Sequence, residues 1–75
     1  MKSDFFITNF ANAIEVDPST ISSNTEFKEI DAWDSLCVLS VIAMVDEIYK
    51  ITLGGNDLES SKTIEDLLKL VESRS

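Results

Sequence analysis

Few residues in this chain could do chemistry. It has no histidine, a single cysteine (Cys37), and fourteen Asp and Glu against six Lys and Arg. Without histidine there is no Ser-His or Cys-His pair, and the commonest metal ligand is missing. One cysteine cannot make an internal disulfide and cannot by itself build a zinc site. What remains is hydroxyls and carboxylates, and they meet at one telling place, Asp34-Ser35 within DAWDSLCVLS. The Ser35 hydroxyl could be an ordinary helix start, or a point where a phosphate ester is attached. A first helical turn leaves backbone N–H groups unpaired and carries partial positive charge, which suits an anion. Asp31 and Asp34 oppose that by like-charge repulsion, so the local chemistry permits attachment without requiring it. An acid-base enzyme using two carboxylates would need a pocket, and no segment of this short chain is suited to building one.

The elements that must position Ser35 read as helices. From Ser3 to roughly Ile14, Phe6, Phe10, Ala13 and Ile14, with Phe5 and Ile7 beside them, follow helical spacing, and Ser3-Asp4 resembles a cap. VDPSTISSNT, from Val16 to Thr25, is rich in Ser, Thr, Asn, Asp and Pro and reads as a loop. Ile21, Phe27 and Ile30 are the apolar residues available to anchor it. A second helix begins at Ser35 with Asp34 as N-cap, and Gly54-Gly55 break any continuation. Asn56 with Glu59 has the polarity of a capping box for a brief helix around residues 57–61. Thr63 with Asp66 repeats it for a last helix striped by Ile64, Leu67, Leu68 and Val71. Ile51-Thr52-Leu53 is the one stretch with any strand character. The expected fold is all-α: one domain over residues 1–75, a small bundle of three main helices and one short helix, with a long loop between the first two.

The second helix carries no charge from Ser35 through Val45. At 100° per residue, Val38, Val41, Ile42, Val45, Ile48 and Tyr49 share one sector, the expected core face. Leu36, Leu39 and Ala43 lie opposite, flanked by Met44 and Cys37. Too few other helices exist to bury such a helix on all sides, so the opposite face is expected to meet a partner. Cys37 is expected to be a small packing residue.

Net charge is −8. Such a surface repels phosphate backbones, so nucleic-acid binding is not expected, while partners with basic docking patches are favoured. No apolar run approaches the roughly 20 residues that cross a bilayer. MKSDFFITNF does not resemble a secretory signal, and one unpaired thiol suits the cytoplasm. The expectation is a cytoplasmic monomer without membrane insertion.

Three stretches together resemble the acyl carrier protein family. NTEFKEIDAWDSL is similar to the family's approach to its modified serine, with Thr25, Phe27 and Ile30 ahead of Asp34-Ser35-Leu36. VDEIYKITL resembles the end of its second helix and the apolar stretch beyond. KTIEDLLKLV resembles its final helix. The resemblance runs from about Thr20 to Val71 and implies that Ser35 receives 4'-phosphopantetheine from coenzyme A by a phosphopantetheinyl transferase, with Asp34 beside the attachment point. It also implies a carrier without catalytic activity of its own, holding acyl or aminoacyl thioesters. Loading ligases and acyl-transfer or synthase enzymes would dock through basic and apolar surfaces on Leu36, Leu39, Ala43, Met44, Asp46 and Glu47. Two features depart from the family pattern. Acidic residues that many members place at positions matching Cys37 and Ser40 are missing, and Trp33 is uncommon in fatty-acid carriers. The alternative is an interaction domain of the same fold, in which Ser35 is only a helix cap and the apolar face binds a partner.

Overall fold

The computed structural model describes the backbone over residues 2–74 and side chains over residues 4–74. Among the described residues all regular structure is helical. The order is α1 (Lys2–Ala13), α2 (Ser35–Tyr49), α3 (Gly55–Ser60) and α4 (Ile64–Arg74), with single 3-10 turns at Pro18–Thr20 and Phe27–Glu29 in the long α1–α2 loop. α1 packs against α2 and α4, and α3 bridges α2 and α4. This is the small helical bundle expected from the sequence. The strand character of residues 51–53 is not used. That segment is a linker whose Ile51 and Leu53 insert into the core.

The helix ends explain much of the chain's punctuation, and two expected caps are corrected. α1 is already under way at Lys2, so Ser3 lies inside its first turn; the Ser3 side chain is outside the described residues. At the other end of α1, Glu15 turns left-handed (φ 60°) and Val16 N–H donates back to Ala11 O at 2.9 Å. That is a Schellman-type stop made without glycine. Lys50 ends α2 by the simpler left-handed motif (φ 59°), its own N–H donating to Asp46 O at 3.1 Å.

α3 does not use Asn56 and Glu59. It starts at Gly55, and the Asp57 carboxylate accepts the Gly54 N–H at 2.8 Å. The same carboxylate receives both Arg74 guanidinium N–H groups at 2.9 Å, tying the start of α3 to the end of α4. These bonds, Arg74 foremost, hold the Asp57 carboxyl below its ordinary range. The last box is as expected: Asp66 N–H donates to Thr63 Oγ1 at 3.2 Å, and Thr63 N–H donates to Asp66 Oδ2 at 3.1 Å.

The long loop is held at both faces. Asp17 Oδ1 accepts from Ser19 N–H at 2.9 Å and shapes the first 3-10 turn. Further on, Ile64 N–H donates to Thr25 O at 3.1 Å and Glu65 N–H to Ser23 O at 2.9 Å. The loop thereby satisfies donors that the first turn of α4 would otherwise leave unpaired.

Its apolar anchor is Phe27, fully buried with Phe6 and Phe10 of α1. Phe27 meets Phe10 edge-on at 5.6 Å and Trp33 edge-on at 4.9 Å, while Trp33 lies parallel to Phe10 at 6.1 Å. Ile21 and Ile30 pack against the core half-buried, so the three expected anchors contribute unequally. Removing a buried phenylalanine costs about 3–5 kcal/mol, and a chain of this size holds only about 4–11 kcal/mol in total. Phe27→Ala should therefore lose the cooperative thermal transition or shift it far downward, as circular dichroism will show. A near-native melt would mean the loop is held mainly by its bonds to α4.

Candidate functional site

Asp34 and Ser35 stand where the loop becomes α2. Asp34 is extended (φ −151°, ψ −172°), and its Oδ1 accepts the Cys37 N–H at 3.0 Å. Asp34 is therefore the N-cap, and Ser35 is the first helical residue. Ser35 is exposed, and its hydroxyl makes no hydrogen bond among the described residues. A serine that only capped a helix would sit one position earlier and accept a backbone N–H; here Asp34 does that work. The Ser35 oxygen is left to solvent at the positive end of a fifteen-residue helix.

Beside Ser35 a cleft of about 460 Å³ opens between the loop, α2 and α3. Trp33, Val38 and Leu58 supply its apolar walls, Gly55 leaves room on the α3 side, and Lys28, Asp34 and Glu59 stand around it. Lys28 Nζ donates to Glu59 O at 2.7 Å, bridging the loop to α3. Sequence reasoning did not find this cleft. Leu58 and Gly55 become neighbours of Ser35 only once α3 folds back on α2, and no local pattern carries that contact.

The face of α2 turned to solvent was largely legible. Leu36 is 71% and Leu39 63% exposed, and Ala43, Asp46 and Glu47 are exposed as well. Met44 is corrected: it is buried at 9% and belongs to the core, reaching only the floor of a groove of about 410 Å³ between α1 and α2. Cys37 is buried, as expected of a small packing residue, and so does not stand on the exposed side where the match to the family's acidic positions would put it; Ser40 is half-buried.

The buried stripe centres on Cys37, Val41, Met44 and Val45, rotated by roughly 60° from the expected sector. The reason is that α2 is covered from two sides, by α1 and by α3. The buried arc therefore turns toward Cys37 and Met44, leaving Val38, Ile42 and Tyr49 half-buried at one edge, while Ile48 is exposed.

The Cys37 thiol donates to Ala32 O at 3.1 Å, and burial, the largest influence, pushes its pKa up. The raised value means less thiolate at a given pH, hence a slow nucleophile. Among the described residues no cluster of three His, Cys, Asp or Glu could hold a metal, and no helix is long and apolar enough to cross a membrane.

The fold is a small four-helix bundle with an exposed serine opening its second helix. Known proteins share it. An acyl carrier protein of Onion yellows phytoplasma (strain OY-M) is 33% identical over 58 residues, 77% of this chain and 76% of that one. An acyl carrier protein of Phytoplasma australiense is 28% identical over 65 residues, 87% and 86% of the two chains. The solution structure of a holo acyl carrier protein from Geobacter metallireducens superposes with a TM-score of 0.78 at 29% identity, covering 99% of this chain and 86% of that one. No family model matches the sequence. The chain belongs to the acyl carrier protein family.

The environment of Cys37 predicts its reactivity. In the folded protein at pH 8, alkylation of Cys37 by iodoacetamide should be at least about tenfold slower than in urea, a ratio set by burial and thiolate fraction. Equal rates, followed by mass spectrometry, would mean that the thiol is open to solvent.

Proposed function

We propose that this protein carries acyl or aminoacyl groups as thioesters on a 4'-phosphopantetheine arm attached to Ser35. The observation that supports it most is the unengaged Ser35 hydroxyl, exposed at the start of α2 while Asp34 does the capping. In the attachment step Ser35 Oγ attacks the β-phosphate of coenzyme A. A phosphodiester forms, 3',5'-ADP leaves, and the hydroxyl proton passes to the transferase or solvent. The first-turn N–H groups of α2 would favour a phosphate held there and offset the repulsion from Asp31 and Asp34. When bound, the arm supplies a terminal thiol for thioester chemistry; the protein supplies presentation and recognition and needs no catalytic group of its own. This accounts for a family member with no histidine and a buried, sluggish cysteine.

Docking falls to the exposed face of α2. Leu36, Leu39 and Ala43 form an uncharged step below Ser35, and Asp46 and Glu47 mark its lower end. Partners would be a phosphopantetheinyl transferase, a loading ligase and acyl-transfer or synthase enzymes, each meeting this step with apolar groups and the flanking acids with basic ones. The protein would work as a cytoplasmic monomer, kept apart from its copies by a net charge of −8.

Incubation with coenzyme A and a broad-specificity phosphopantetheinyl transferase, followed by intact mass, tests the reading. The wild type should gain one arm and Ser35→Ala none; no gain in the wild type, or equal gain in the variant, contradicts it. Leu39→Glu should leave the thermal melt nearly unchanged and lower kcat/KM for modification by about tenfold, as loss of an apolar anchor does at other interfaces. A large loss of stability would place Leu39 in the core.

A further inference from the structure

Leu36 and Leu39 stand in water near Ser35, and a second apolar exposure lies at the other pole of the bundle. Phe5 in the first turn of α1 is 55% exposed, and Ile48 near the end of α2 is exposed as well. The Phe5 ring meets Tyr49 edge-on at 6.4 Å, and the Phe6 ring meets Tyr49 at 5.8 Å. Further along α1, Phe10 lies against Trp33, just ahead of α2. The two helices therefore run antiparallel, with the groove of about 410 Å³ between them.

That groove joins the two exposures. On α1, Phe5, Asn9 and Asn12 fall within an arc of roughly 60°, and Asn9 and Asn12 line the groove. On α2, Leu36, Ser40, Ala43 and Glu47 share an arc of about the same width, and the last three line it. Ile48 lines it too. A seam thus runs from Leu36 to Ile48 and Phe5, about 18 Å long at the rise of an α-helix. Glu47 is the one charged residue among those lining the groove, and Asp46 is exposed next to it in α2.

We infer that this seam seats a basic amphipathic helix of a partner protein, with Phe5 as the anchor farthest from Ser35. The inference rests on the reading of the exposed α2 face as a docking surface and extends that surface onto α1. The length suits about three turns of helix. Apolar side chains three and four residues apart on such a helix would cover Leu36, Ala43 and Phe5 in turn. Phe5 suits the role because its ring is large, open to solvent and in contact with Tyr49. Charge selects the occupant. Asp46 and Glu47, on a chain of net charge −8, attract lysine and arginine. The same charge opposes a second copy of this chain.

The probe is a synthetic peptide of leucine and lysine, about fifteen residues long so that a helix can form on the seam. Isotope-labelled protein, its arm read by intact mass, is titrated with it and followed by amide NMR shifts. Wild type should show shifts at Leu36, Ala43, Ile48 and Phe5. Phe5→Ala should weaken binding by about fivefold or more, as loss of an aromatic anchor does at other interfaces. Phe5→Leu should recover most of that loss. The wild-type shift map carries the test by itself if Phe5→Ala fails to fold. A peptide with glutamate in place of lysine should not bind.

Shifts confined to the Leu36 end, or unchanged affinity in Phe5→Ala, would overturn the inference and leave docking on α2 standing. Equal binding of the acidic peptide would overturn the choice of a basic occupant. A wild type that sediments as a dimer, dissociated by Phe5→Ala, would assign the seam to a second copy instead. Failure to gain the arm would contradict the Ser35 attachment alone, and the titration would then proceed on the unmodified chain.

Discussion

The long loop between α1 and α2 depends on one interaction, the packing of Phe27 against Phe10 and Trp33. A connection this long and rich in Ser, Asn and Asp has little of its own to hold it. Phe27 ties its second half to α1, and the carbonyls of Ser23 and Thr25 tie its first half to α4. Between those anchors and the start of α2 only a few residues remain, so the position of Asp34, and through it Ser35, follows from where Phe27 is buried. Ser35 is thus placed by an aromatic contact centred on Phe27, seven positions before the cap and eight before the hydroxyl, rather than by any element of its own.

A second constraint is scarcity. Three main helices and one of six residues cannot surround a helix that is uncharged for eleven successive positions. The chain spends the apolar residues of α2 unevenly. One wide arc is covered by α1 and α3, and Leu36 and Leu39 are left in water. Leaving two leucines exposed on a small acidic protein has a solubility cost that a partner surface would repay. The same scarcity explains the importance of Asp57: with so little core, a bidentate ion pair to Arg74 and a bond to Gly54 N–H help keep α3 against its neighbours.

The helices, the Asp34 cap, the Thr63–Asp66 box and the exposure of Leu36, Leu39 and Ala43 could be read from spacing and residue type alone, because each is a local consequence of helical geometry. Cys37 was legible as a small packing residue, but the burial of Met44 was not. Whether the edge of an apolar arc is buried depends on how many helices lean on it, and that is a tertiary fact. The start of α3 was misread because Asn56 and Glu59 have the polarity of a box, yet Gly54 supplied the cap position and Asp57 the carboxylate, each two residues earlier. The cleft was invisible for the same reason as the Met44 contact: Leu58 is twenty-three residues from Ser35 and meets it only through the fold. Trp33 both packs on Phe10 and Phe27 and lines the cleft, a placement that no local pattern carries.

The most direct measurement of the central claim is made on protein taken from its own cells. Proteolysis and tandem mass spectrometry of the native material should find 4'-phosphopantetheine on the peptide containing Ser35, identified by the arm's characteristic loss on fragmentation, and on no other serine. Native protein that carries no arm, or an arm on a different serine, would contradict the account.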